Sequence, residues 1–228
     1  MSWRTGLLVV LLACSASFAQ DRRPGVLDRI PDEEQEHPGR DAWQLPEKVA
    51  AALRLEKGQA VADVGCGSGY FVPYLAPAVG PSGRVYAIDI QPEMLAYVER
   101  KIERLALKNV ETVLSQETDT QLPEGSVDVA LLIDVYEELG SPRAVLANLR
   151  QILRPEGRLV VIDFKPEKGA TAVGPPLSHR LAARRVVAEV ESAGFHLVER
   201  PSFLPYQYFL VFTRAPEAKV GLFDGRAW

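Results

Sequence analysis

From Asp41 onward the apolar and polar positions fall into short blocks whose period switches between strand and helix. Pro46 can open a helix carrying Val49, Ala50, Leu53 and Leu55, which stops at Lys57-Gly58. Ala60–Val64 reads as an apolar strand, Tyr70–Val79 as a helical stretch and Val85–Asp89 as a second strand. Pro92–Leu107 places Met94, Leu95, Val98, Ile102 and Leu105 on one helical face. Val110–Leu114 and Val127–Asp134 follow as strands, and Ser141-Pro142 supplies an N-cap and first-turn proline for a helix to Leu153. Gly157–Phe164 is a strand, Ser178–Ala193 a helix, and Phe195–Glu199 and Tyr206–Thr213 are strands with no helix between them. This alternation predicts an α/β fold with a doubly wound, mostly parallel seven-stranded sheet. The last strand must be reversed, because a parallel crossover needs about a dozen residues or more.

The first residues follow a different rule. Arg4, the apolar run Leu7–Ala13 and the small-x-small sequence Ser17-Phe18-Ala19 make a secretory signal, with cleavage expected after Ala19. The run is far shorter than the roughly 20 residues that cross a bilayer, so no transmembrane span is expected. Leu11-Leu12-Ala13-Cys14 offers an alternative, a lipobox that would leave a lipid anchor on Cys14. Either route exports the protein. Residues 20–40, polar and interrupted by Pro24, Pro31 and Pro38, read as a flexible arm before a domain over 41–214 and a tail over 215–228.

Composition narrows the chemistry. The chain has 228 residues, 47% of them hydrophobic, with a formal net charge of −4. Two cysteines cannot build a disulfide framework, and three scattered histidines leave no Cys/His cluster for a metal. The acidic balance, without a long Lys/Arg run, argues against a nucleic-acid partner.

The most informative stretch is Val61-Ala62-Asp63-Val64-Gly65-Cys66-Gly67-Ser68-Gly69-Tyr70-Phe71. An apolar strand runs into Asp63, then into glycines at alternate positions, which let the backbone turn tightly and approach a ligand. The dinucleotide pattern would need a further glycine at Tyr70, which weighs against a nicotinamide-dependent oxidoreductase. The second strand ends in Asp89, where a carboxylate can accept from both hydroxyls of an adenosine ribose.

These residues resemble class I S-adenosylmethionine-dependent methyltransferases. Asp63-x-Gly65-x-Gly67-x-Gly69 is similar to their first motif and Ile88-Asp89-Ile90-Gln91-Pro92-Glu93-Met94-Leu95 to their second. Leu122-Pro123-x-x-Ser126-Val127-Asp128 resembles the approach to their fourth strand, and Leu153-Arg154-Pro155-x-Gly157-Arg158-Leu159 the entry to their fifth. Within the superfamily the likeness is greatest to small-molecule enzymes of the quinone-biosynthesis and arsenite-methylating kind, with a turn and loop similar to protein isoaspartyl methyltransferases. The resemblance implies S-adenosylmethionine as cofactor and a small-molecule substrate as acceptor. It implies that Asp63 and Gly65, Cys66, Gly67 and Gly69 hold the methionine part, that Asp89 takes the ribose, and that Ile90 lies on the adenine. Glu117, ahead of Asp119, would meet the adenine edge, and Asp134 the cofactor's amino group. Relatives often carry Val-Tyr-His-Glu where this chain has Val135-Tyr136-Glu137-Glu138, so an obvious general base is missing. Tyr136, Glu137 and Lys165 are the catalytic candidates, and the segments Lys165–His179, Arg200–Pro205 and Phe203–Gln207, with Tyr206, Trp43 and Gln44, are expected at the active edge. A rival reading is an exported, non-catalytic binding protein on the same scaffold, since export separates the chain from cytoplasmic cofactor.

Overall fold

Prolines open several of the helices that flank the sheet. Pro46, Pro92 and Pro142 each stand in the first turn of α2 (Pro46–Ala52), α4 (Pro92–Arg104) and α5 (Pro142–Ile152), where a missing N–H leaves no bond unmade. The computed structural model describes residues 39–167 and 173–215. The expected leader, Cys14, all of the arm before Gly39 and nearly all of the tail lie outside these residues.

One short helix was not legible in the sequence: α1 (Arg40–Gln44) precedes α2, separated by Leu45 in the left-handed region at φ +50°. The strands are β1 (Ala60–Val64), β2 (Arg84–Asp89), β3 (Val110–Leu114), β4 (Val127–Ile133), β5 (Leu153–Phe164), β6 (Phe195–Glu199) and β7 (Gln207–Arg214). α3 (Val72–Val79) joins β1 to β2, and α6 (Ala183–Ser192) precedes β6. The seven strands form one sheet in the order β3-β2-β1-β4-β5-β7-β6. β1 to β5 pair in parallel, whereas β7 runs antiparallel to both β5 and β6. The doubly wound sheet with a reversed last strand is therefore as expected.

Details differ from the sequence reading for local reasons. β5 begins at Leu153 rather than Gly157, because Leu153 already pairs with Val127 across an irregularity in the β4–β5 register. The helix expected from Ser178 is a 3-10 turn, Leu177–His179, followed by α6. Ser141 precedes α5 but makes no side-chain cap bond.

The core has a layer on each face of the sheet. Leu146, Leu149 and Ile152 of α5 and Val186 and Val190 of α6 pack with Phe195 and Phe212 on one face. Val49, Leu53, Leu75 and Val79 of α2 and its neighbours pack with Val129, Val160 and Phe209 on the other. Val98 of α4 closes a smaller layer with Val72 and Ala87. These layers hold the carboxyl ends of β1, β2, β4 and β5 at one edge, where ligands of open α/β sheets bind.

Candidate active site

At that edge the glycine loop is tied to β2. The N–H groups of Gly65 and Cys66 donate to the Ile88 carbonyl at 2.8 and 3.0 Å. Gly65 has φ +72°, and a Cβ there would lie 2.6 Å from Val135 Cγ2, so both its conformation and its space demand glycine. Gly67, at φ +53°, faces open space, with nothing within 4 Å of where a Cβ would stand. The Asp89 carboxylate accepts from the Gly67 and Gln91 N–H groups, each at 2.9 Å. Burial raises its pKa and these backbone bonds pull it back. Beside it Ile90 is 55% exposed, and Leu114, which pairs with Asp89 at the end of β3, is 54% exposed. Two large apolar side chains thus stand open beside an anchored carboxylate.

Two further acids converge on the loop. Asp63, buried at the end of β1, has its pKa pushed up to about 7, burial outweighing the positive charge of Arg40, with Asp89 adding to the rise. Asp134 follows β4 in the left-handed region at φ +58°. Its pKa also rises to about 7, again through burial first and against Arg40, with Glu137 pushing the same way as burial. Arg40 Nη2 stands 3.7 Å from Asp134 Oδ2. Gln207 Nε2 donates to Asp134 Oδ1 at 2.5 Å, and Gln44 Nε2 donates to Gln207 Oε1 at 2.9 Å. α1 is held down by the Arg40 guanidinium over the Tyr70 ring at 3.9 Å and by the Tyr70 hydroxyl bonding Asp41. Trp43 packs on Phe164 at 5.6 Å and on Tyr206 at 6.5 Å.

The catalytic candidates part company here. Tyr136 is 1% exposed, lies in the layer beneath α6 and donates its hydroxyl to Glu189 Oε2 at 3.0 Å, so it is a core residue with its polar atom already used. Lys165 is likewise engaged: Nζ donates to the Leu204 and Pro205 carbonyls at 3.1 and 3.3 Å, tying two edge loops together. Glu137 is buried, and its N–H donates to Asp163 Oδ2 at 3.3 Å; burial, then the Asp163 carboxyl, push its pKa up to about 10. Asp163 itself rises to about 6, chiefly through burial. Phe203 is half-buried and packs against the core, its ring 5.8 Å from that of Phe209.

Glu117 is exposed, and Gly140 leaves it room: a Cβ at 140 would stand 2.5 Å from Glu117 Oε1. Asp119 instead closes its own turn, accepting from the Gln121 N–H at 2.8 Å and Asn148 Nδ2 at 3.3 Å. Cys66 is half-buried, its Sγ 3.6 Å from the Gly67 carbonyl, and burial raises its thiol pKa. Sequence reasoning missed Arg40, Asp163 and Tyr208, whereas Gln207 stands at the edge where it was expected. Asp163 carried a signal, a lone acid inside the apolar run Val160-Val161-Ile162-Asp163-Phe164.

The family profile of the methyltransferase domain matches residues 62–161. A crystal structure of an S-adenosylmethionine-dependent methyltransferase from Aquifex aeolicus is 34% identical; the match covers 78% of this chain and 94% of that one, with a TM-score of 0.74. The chain belongs to the S-adenosylmethionine-dependent methyltransferases. Among curated relatives, a demethylmenaquinone methyltransferase from Geobacillus is 27% identical over 117 residues, 51% of this chain and 50% of that protein. A protein-L-isoaspartate O-methyltransferase from Methanothrix thermoacetophila is 34% identical over 112 residues, 48% of this chain and 49% of that protein. This methyltransferase thus spans about half the length of these two curated relatives. Its edge suits the family's cofactor: there is open space over Gly67, exposed apolar surface at Ile90 and Leu114, and a pair of acids, Asp63 buried and Asp134 half-buried, suited to a positively charged group.

Proposed function

We propose that this methyltransferase transfers the methyl group of S-adenosylmethionine to a small-molecule acceptor at the carboxyl edge of its sheet. The observation that carries the reading is Asp89, pinned by two backbone amides beside the open glycine loop and the exposed Ile90. When bound, the cofactor supplies a methyl on an already activated sulfonium, so the protein's task is alignment and exclusion of water. Asp89 would accept from the ribose hydroxyls, Ile90 and Leu114 would cover the adenine, and Glu117 would meet its edge. Asp63 and Asp134 would face the positive charge of the methionine part, which the backbone from Gly65 to Gly69 would hold. α1 covers the same edge with Arg40 and Trp43. Likeness to a demethylmenaquinone methyltransferase supports a small acceptor, whereas likeness to a protein-L-isoaspartate O-methyltransferase would favour a protein one.

Calorimetric titration of the full chain with S-adenosylmethionine and S-adenosylhomocysteine tests this, a one-site isotherm being expected for each. Asp89→Ala removes an acceptor of charged hydrogen bonds worth about 1.5–3 kcal/mol each, so affinity should fall at least about tenfold. Unchanged affinity would overturn the ribose assignment, and preferential binding of NADH the whole reading. The pattern of Met1–Ala19 further supports an exported protein, cleaved after Ala19 or, alternatively, lipid-anchored at Cys14.

A further inference from the structure

Arg40, Gln44, Gln207 and Asp134 close a ring of polar contacts between α1, the start of β7 and the turn after β4. Arg40 Nε donates to Gln44 Oε1 at 3.3 Å, Gln44 Nε2 to Gln207 Oε1 at 2.9 Å, and Gln207 Nε2 to Asp134 Oδ1 at 2.5 Å. Arg40 Nη2 comes back to Asp134 Oδ2 at 3.7 Å. Gln44 and Gln207 are only 0% and 2% exposed. Two bonded amides could give way to apolar groups of the same shape at little net cost, so packing alone does not call for them.

The ring runs in one direction. A guanidinium has no acceptor, so Arg40 must face the oxygen of Gln44; an ionised carboxylate has no donor, so Asp134 must face the N–H of Gln207. Turning either amide over would set donor against donor on one side and oxygen against oxygen on the other. The two glutamines therefore carry the orientation of α1 to Asp134. Oδ1 is taken up by this chain, whereas Oδ2 has Arg40 at a distance that serves charge attraction but is too long for a hydrogen bond. Arg40 also lies within electrostatic reach of Asp63, and Val135, next to Asp134, stands against Gly65. Oδ2 thus belongs to the glycine-loop side of the ring.

We propose that Gln44 and Gln207 are positioning residues of the cofactor site: by holding Asp134 Oδ1 they turn Oδ2 towards the ammonium group of the cofactor's methionine part. The proposal rests on the methyl-transfer reading and adds to it two residues that act through Asp134, one from α1 and one from β7. α1 is then a working part of the site as well as a cover over it. A charged hydrogen bond is strong only when donor and acceptor are well aligned, so a carboxylate that loses its hold is felt at the amino group. The ribose, which Asp89 would hold, is not affected.

The test titrates the full chain at about pH 8 with S-adenosylhomocysteine and with its des-amino analogue, which keeps the adenosine, sulfur and carboxylate but lacks the amino group. The parent should bind S-adenosylhomocysteine at least about tenfold more tightly than the analogue. In Gln207→Leu that gap should close to about threefold or less, with affinity for the analogue within about threefold of the parent. Gln44→Leu should narrow the gap about threefold, and adding it to Gln207→Leu should narrow it no further, because the two act in series. Residues that served only packing would weaken both ligands alike and add in the double variant. Should Gln207→Leu lose the analogue as well, Gln44→Leu decides: a narrowed gap upholds the proposal and an unchanged one overturns it. A parent that binds both ligands equally, or a gap unchanged in both single variants, also overturns it. A parent that binds neither ligand overturns the methyl-transfer reading itself.

Discussion

At the scale of single residues, Asp63 and Asp134 set the electrostatic character of the site. Each has its pKa raised to about 7 by burial, against the pull of Arg40. Their folded values exceed the unfolded value of 3.8, so the ligand-free native state holds protons that the unfolded chain has released. The contribution of these protons to stability is full below the unfolded value and is lost as pH rises towards about 7. A positively charged ligand reverses the preference, because it favours the ionised carboxylates. S-adenosylmethionine should therefore bind roughly tenfold more tightly at about pH 8 than at about pH 6, one ionisation near the midpoint supplying the factor. S-adenosylhomocysteine, which lacks the sulfonium charge, should gain less. Calorimetry at the two pH values checks this, and equal gains for both ligands would contradict it. Arg40→Gln should move the rise to higher pH, since the counter-charge that lowers both acids is gone.

At the scale of elements, what could be read from sequence depended on whether the determining contacts were local. The glycine loop and the strands around it were legible, because turn chemistry and apolar period are written within a few residues. α1 was not: Arg40–Gln44 has no apolar period and is held by distant partners, Tyr70, Asp134 and Gln207. Tyr136 was placed at the edge because it follows β4, but the left-handed turn at Asp134 sends its ring into the layer below α6. Phe203 shows the same limit, since only the fold reveals Phe209 beneath it. Phe203→Ala should accordingly cost stability, roughly 1–3 kcal/mol for a half-buried ring against about 3–5 for a fully buried one. Thermal melts should show the loss, with affinity for S-adenosylhomocysteine kept below the melting temperature. An unchanged melt would return Phe203 to the acceptor side.

At the scale of the whole molecule, the proposed export makes a mass prediction. Intact-mass measurement of protein from its native host should give a chain beginning at Gln20, or a lipid-modified one beginning at Cys14. A chain retaining Met1 in the cytosol would refute the leader. The sheet carries its own consequence for how the molecule comes into being. β7 is the last strand described, yet it lies between β5 and β6. Its opening residues, Gln207 and Tyr208, reach Asp134 and the Glu137–Asp163 pair. A chain still emerging from the ribosome thus meets its most distant pairings last, when loop closure is slowest. Until then β5 offers a bare apolar edge, Leu159 to Ile162, to any neighbouring strand. Birth order therefore makes completeness a condition of the chemistry: a prematurely ended chain has neither a closed sheet nor a finished site, and chaperone demand should peak just before the final strand arrives.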